Sequence, residues 1–181
     1  FQARSMGHKA KNIYVFATEA MRRASNHDAI IRRVESSLGI SIEIITPEQE
    51  AELSIRGVQI DSEGPTPAAL LEIGGGSAQV AIFDGTKIIE TLSLPLGTGR
   101  LIAESGLTYP STTEQVQKIL DWVELHTKAC QELPKAMRII GSGGVARGLW
   151  RGVHPDGDRE LHLNELDYVA WTAARLTTDQ V

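Results

Sequence analysis

Residues 71 to 84 read Leu-Glu-Ile-Gly-Gly-Gly-Ser-Ala-Gln-Val-Ala-Ile-Phe-Asp. An apolar run breaks at three glycines and a serine, and a second alternating run leaves them. This arrangement can turn a strand end into a phosphate seat. Gly74, Gly75 and Gly76 let backbone N–H groups approach an anion with no Cβ in the way, and Ser77 adds a hydroxyl. Glu72, at the end of the first run, is placed to hold a divalent cation through a phosphate's charge. A glycine-rich turn in any sheet would look similar, so the rest of the chain must decide.

The bulk numbers narrow the partners. The chain has 181 residues, 41% hydrophobic and 23% charged, as expected of one ordinary globular domain or two small ones. Its net charge of −5 supplies no basic field for DNA or an anionic membrane. No apolar stretch approaches the length of a membrane-spanning helix. The single cysteine, Cys130, cannot form an intrachain disulfide, which fits a reducing cytoplasm. The five histidines show no metal-ligand spacing, and Asp156-Gly157-Asp158 is too short for a calcium loop.

Strand-like and helix-like segments alternate. Ile13–Phe16 and Ile40–Ile45 are strand candidates, with a helix between them capped at Ser25 or Asn26 and stopped at Gly39. Thr46-Pro47-Glu48-Gln49 has the form of a capping box with proline at the first helical position. Asp61 to Pro67 reads as a linker. Three antiparallel strands should follow: Ala68–Ile73, Gln79–Phe83 and Lys87–Leu94. Ser111 with Glu114 predicts a second capping box, opening a helix with the apolar stripe Val116, Ile119, Leu120, Val123 and Thr127. Met137–Ile140 reads as a buried strand. Asn164 is expected to cap the last helix, with Leu163 and Tyr168 as its hydrophobic staple. The fold class that results is α/β, with a mixed sheet.

A second glycine loop, Gly141-Ser142-Gly143-Gly144, follows an apolar run and opens a helix. Helix N-termini carry free N–H groups and partial positive charge, so Gly143 and Gly144 are phosphate-binding candidates. Two such loops are expected to face one cleft from opposite sides. Arg22 is suited to gripping a phosphate bidentately, and Gly97-Thr98-Gly99-Arg100 offers another anion contact. Glu50, on the capped helix, is a candidate to share a metal with Glu72 or to position a water.

Taken in order, five segments resemble the exopolyphosphatase and guanosine pentaphosphate phosphatase family, within the actin-like ATPase superfamily. They are Ala17–Asn26, Gln49–Leu53 with Gly57-Val58, Glu72–Ser77, Ser93–Gly97 with Arg100-Leu101, and Ile140–Gly144. The resemblance spans roughly Val15 to Leu176. It implies a ribonuclease H-like lobe and Mg²⁺-assisted hydrolysis of a phosphoanhydride, with Glu50 as the catalytic glutamate and Arg22 and the loop from Gly74 to Ser77 binding phosphate. The implied substrate is inorganic polyphosphate, losing its terminal phosphate, or guanosine pentaphosphate, losing its 5′-phosphate.

Two departures matter. Glu72 stands where the family usually has aspartate, and Gln79 where it usually has the glutamate that activates water. A glutamine orients water but accepts no proton at neutral pH. The family's first phosphate loop has no counterpart, so residues 1–46 are expected to be the last strand-helix-strand of an incomplete first lobe, and 47–181 the second lobe. The expected function is a hydrolase whose present chain is an inactive or weakly active fragment. The alternative is a catalytically degenerate sensor of polyphosphate or nucleotide. An uncovered sheet edge would invite a homodimer.

Overall fold

The computed structural model describes Arg4, Gly7, His8, residues 10–61 and residues 64–180, except the side chains of Asp61 and Thr178. Ser62 and Glu63, within the expected linker, lie outside the described residues. The chain divides into two compact units, Phe1–Glu50 and Ala51–Val181.

In the first unit, β1 (Val15–Ala17) pairs in parallel with β2 (Ile42–Ile44). Parallel strands need a crossover, and here it comprises α1 (Glu19–Arg23) and α2 (His27–Leu38). Asn26 precedes α2 but makes no side-chain cap bond, while Gly39 closes it as expected. Helix α3 (Pro47–Asp61) starts in this unit and crosses the division. Its capping box forms as read: the Gln49 N–H donates to Thr46 Oγ1 at 3.2 Å, and the Thr46 N–H donates to Gln49 Oε1 at 2.8 Å.

The second unit is built on a four-stranded sheet of order β5-β4-β3-β6. Strands β3 (Ala68–Ile73), β4 (Ala78–Asp84) and β5 (Lys87–Leu94) form the expected antiparallel meander, and β6 (Arg138–Ser142) joins β3 in parallel. Period-two alternation divides the side chains between two faces. On one face, Ala68, Leu70, Ala81 and Phe83 bury against Ala51 and Ile55 of α3. Leu70 and Ile55 are fully buried, worth about 2 kcal/mol each. The other face carries Ala78, Leu94 and Leu96, covered by Leu101 of α4 (Thr98–Ser105) and by Trp122 and Val123 of α5 (Thr113–Thr127).

Several sequence expectations fail in this unit. Strand β6 is an edge strand: Ile139 points out of the core and is 73% exposed. The second capping box is Thr112 with Gln115, one residue later than expected. The Ser111 hydroxyl instead donates back to the Thr108 carbonyl at 3.2 Å. Leu120 is exposed, leaving Val116, Ile119, Trp122 and Val123 as the inward stripe. Helix α6 (Gly143–Val153) follows β6, and the last long helix, α7 (Leu163–Ala173), is capped by His162 with Glu165, not by Asn164. Leu163 and Tyr168 are both exposed and make no staple.

Candidate phosphate site

Strand register assembles the second unit's site. Glu72 of β3 lies opposite Gln79 of β4 and Ser142 of β6, and Gln79 lies opposite Ser93 of β5. Directly opposed residues share a face, so Ser142, Glu72, Gln79 and Ser93 form one polar row across the whole sheet. The row occupies the same face as the core under α3, one residue before β3 ends. Three of its members are hydrogen-bonded. Gln79, only 5% exposed, donates through Nε2 to Ser93 Oγ at 3.0 Å. Glu72 Oε2 accepts from the hydroxyl of Ser54, on α3, at 2.7 Å.

The glycine loop from Gly74 to Ser77 joins β3 to β4 beside this row. It closes on itself, the Gly74 N–H donating to the Ser77 carbonyl at 2.9 Å. The first turn of α4 then donates into the loop: Thr98 N–H to Gly74 O at 2.9 Å, Gly99 N–H to Gly75 O at 2.9 Å, and Arg100 N–H to the same oxygen at 3.2 Å. A Cβ on Gly97 would overlap the Gly75–Gly76 backbone. The backbone of Gly97 to Arg100 thus holds the loop instead of offering its N–H groups to an anion. No acceptor among the described residues takes the N–H of Gly75 or Gly76. A Cβ on Gly75 would meet nothing within 4 Å, so space there is open.

The second glycine loop lies beside the first, not across a cleft from it, because β3 and β6 are neighbouring parallel strands whose C-terminal ends adjoin. Gly143 has φ +85°, a conformation that side chains rarely adopt, and a Cβ there would sit 3.4 Å from Glu72 Oε1. Gly144 is exposed, in the first turn of α6.

The first unit holds Arg22 and Glu50. Arg22 Nη2 donates to Glu50 Oε2 at 2.9 Å and Nη1 to the Ile45 carbonyl at 2.6 Å, with Glu19 Oε2 at 3.7 Å. Both Nη groups are therefore engaged within the protein, and the guanidinium fixes the direction of the Glu50 carboxylate.

Among the described residues, no group of three or more His, Cys, Asp or Glu side chains converges on a metal position. A single carboxylate nonetheless suits Mg²⁺, which commonly keeps several waters and takes one or two carboxylates plus substrate phosphates. Glu72 fits that role, since Ser54 holds one oxygen and the other is turned toward Gly143.

Two carboxyl groups away from the polar row, the exposed Glu48 and the half-buried Glu165, titrate below the usual range. Glu48 is lowered by the backbone N–H at the start of α3, then by the Thr46 hydroxyl. Glu165 is lowered first by the backbone N–H of His162, with smaller help from the charge of His154 and His162. His154 Nε2 stands 2.9 Å from Glu165 Oε1, off the line that a hydrogen bond needs.

Sequence reasoning placed Glu72, Gln79 and both loops but missed Ser54, Ser93 and the role of α4's first turn. Ser93 and Gly97 stood within a recognised segment, yet nothing local says what they touch.

Residues 1–153 match the pattern of the Ppx/GppA phosphatase family. The chain belongs to that family. A bifunctional 3-dehydroquinate synthase/phosphatase of Fusobacterium nucleatum subsp. nucleatum is 30% identical over 141 residues, covering 75% of this chain and 21% of that protein. Among solved structures, an exopolyphosphatase-like protein superposes with a TM-score of 0.87 at 23% identity, covering 97% of this chain and 61% of the other. The Ppx/GppA enzyme of Aquifex aeolicus superposes with a TM-score of 0.75 at 24% identity, covering 98% and 62%. The likeness establishes the fold, a mixed α/β architecture shared with these structures. The chain thus spans about three fifths of the length of those solved relatives and a fifth of the curated one. No helix among the described residues is long and apolar enough to cross a membrane.

Proposed function

We propose that this Ppx/GppA chain serves hydrolysis of a phosphoanhydride, releasing the terminal phosphate of inorganic polyphosphate or the 5′-phosphate of guanosine pentaphosphate. The observation that carries the reading is the loop from Gly74 to Ser77. Its Gly74, Gly75 and Ser77 carbonyls are bonded and its Gly75 and Gly76 N–H groups are not, beside a carboxylate held by a hydroxyl. Those N–H groups and the Ser77 hydroxyl take the oxygens of the terminal phosphoryl group, with Gly143 and Gly144 as a second contact. Glu72, with substrate oxygens and water, would hold Mg²⁺, which would neutralise charge on the transferred group. Glu50 positions a water and takes its proton. The water oxygen bonds to phosphorus in line, the bridging P–O bond breaks, and orthophosphate is one product. Arg22, the expected phosphate ligand, also orients Glu50.

The fate of Gln79 favours a second reading. It donates to Ser93 where a water-activating glutamate is expected, so a binding protein with weak chemistry would keep the same seat. Phosphate release from polyphosphate and from guanosine pentaphosphate, measured for the parent, Glu50→Gln and Gln79→Glu, separates the two. A hydrolase loses activity at Glu50→Gln by at least a hundredfold. If the parent hydrolyses and Glu50→Gln leaves it active, the assignment of Glu50 fails. If Gln79→Glu raises activity tenfold or more, the binding reading is favoured. Polyphosphate binding with no hydrolysis by any of the three forms would also favour it.

A further inference from the structure

We propose that the first turn of α4 is a positioning clamp, which sets the direction of the N–H groups that meet the phosphate. The inference rests on reading the Gly74–Ser77 loop as the phosphate seat, and adds to it how the seat is held in shape. A trans peptide unit points its C=O and the following N–H in opposite directions. The Gly74 carbonyl is in one plane with the Gly75 N–H, and the Gly75 carbonyl with the Gly76 N–H. Thr98 holds the first carbonyl, and Gly99 and Arg100 hold the second. Three bonds from one helix end therefore turn the Gly75 and Gly76 N–H groups away from their donors, on a loop where a Cβ at Gly75 would meet nothing within 4 Å. Gly97 makes the approach feasible, since any Cβ there would strike the Gly75–Gly76 backbone. The arrangement answers two needs at once. The helix's N-terminal N–H groups have no partners inside their own helix, and a glycine-rich loop has little stiffness of its own.

One substitution removes a clamp bond and pushes its acceptor away, because the proline Cδ stands where the hydrogen was. Thr98 is the first residue of α4, where proline is tolerated because its N–H is not used by the helix. Gly97 has φ −72° and ψ 147°, the extended conformation favoured before proline. Thr98→Pro deletes the N–H that holds Gly74, whereas Thr98→Ala keeps it and loses only a 3.4 Å hydroxyl contact.

The test uses the full 181-residue chain, with amide NMR resonances and hydrogen exchange at Gly75 and Gly76, and inorganic tripolyphosphate as the probe. Thr98→Pro is expected to move both resonances, to leave the exchange of these unbonded amides unchanged, and to weaken tripolyphosphate about fivefold. Thr98→Ala is expected to recover most of the parent's behaviour. A merely structural contact would lower the melting temperature in Thr98→Pro and leave the two amides and the affinity alone, which overturns the proposal. Equal affinity in the two variants overturns it as well. If no form binds tripolyphosphate, the phosphate-seat reading fails, yet the amide shifts still decide whether the clamp exists. Should Thr98→Pro not fold, Gly99→Ala serves instead. Its Cβ would press on Gly75 O from 3.2 Å, and the Gly76 amide should move more than that of Gly75. An unmoved Gly76 amide overturns the proposal by that route.

Discussion

The two glycine loops of the second unit look alike as sequence and behave differently as structure. Each follows an apolar strand, and each contains consecutive glycines next to a serine. The loop after β3 is held from outside: another helix bonds the Gly74 and Gly75 carbonyls, and the Gly75 and Gly76 N–H groups have no acceptor among the described residues. The loop after β6 is held from within. It runs directly into its own helix through a left-handed Gly143, packed over Glu72. The lesson is that glycine serves two separate needs. In the first loop it permits close backbone approach by the α4 turn and, on the proposed reading, by an anion. In the second it permits a backbone angle.

The largest effect that could break this comparison belongs to Gly97. Gly97→Val would force the clamp and the loop apart, at a cost of about 3 kcal/mol or more. Thermal melting would show it as a large fall in midpoint, and a midpoint near the parent's would mean that the loops are not held differently. Next comes Gly143→Ala, which meets the strain of a positive φ and crowds Glu72. About 1–3 kcal/mol of stability should go, read by denaturant titration. Smaller in stability, and sharper in meaning, is the pair Gly75→Ala and Gly144→Ala. Neither Cβ meets anything within 4 Å, so both should stay within about 0.5 kcal/mol of the parent. Only Gly75→Ala places a methyl at the open N–H groups. Calorimetry with tripolyphosphate should show it weakening binding several times more than Gly144→Ala does.

The smallest effect lies far from both loops. The Glu165 carboxyl titrates below its usual value of 4.5 because it accepts the His162 N–H at the start of α7. A lowered carboxyl contributes stability that is present above its unfolded value and lost as pH falls through the folded one. Acid melting curves should therefore show a modest loss below about pH 4.5 that Glu165→Gln lacks, with both glycine loops unaffected.

Local signals were legible wherever local physics decides. The Thr46–Gln49 box involves only neighbours, and its two bonds form as the sequence implies. The meander from Ala68 to Leu94 followed from alternation and the turn residues. Where two neighbouring residues offer the same local chemistry, the sequence is ambiguous. Ser111 and Thr112 are both hydroxyl residues with an acceptor three positions on. Thr112 prevails because Gln115 also donates to the Gly106 carbonyl at 2.7 Å and anchors that register. His162 was overlooked because imidazole is an uncommon cap. Long-range partners were not legible at all. Ser54 reads as an ordinary helix serine until register brings Glu72 beneath it, and Ser93 reads as a strand serine until Gln79 lies opposite. The exposure of Ile139 has the same origin: apolar composition marks a strand but does not say whether another strand covers it.

The central claim is that the Gly74–Ser77 loop is a phosphate seat, and amide NMR during a tripolyphosphate titration tests it most directly. The account predicts saturable shifts that are largest at Gly75 and Gly76, smaller at Gly143 and Gly144, and absent at α7. Saturable binding that leaves the Gly75 and Gly76 amides unmoved would contradict it.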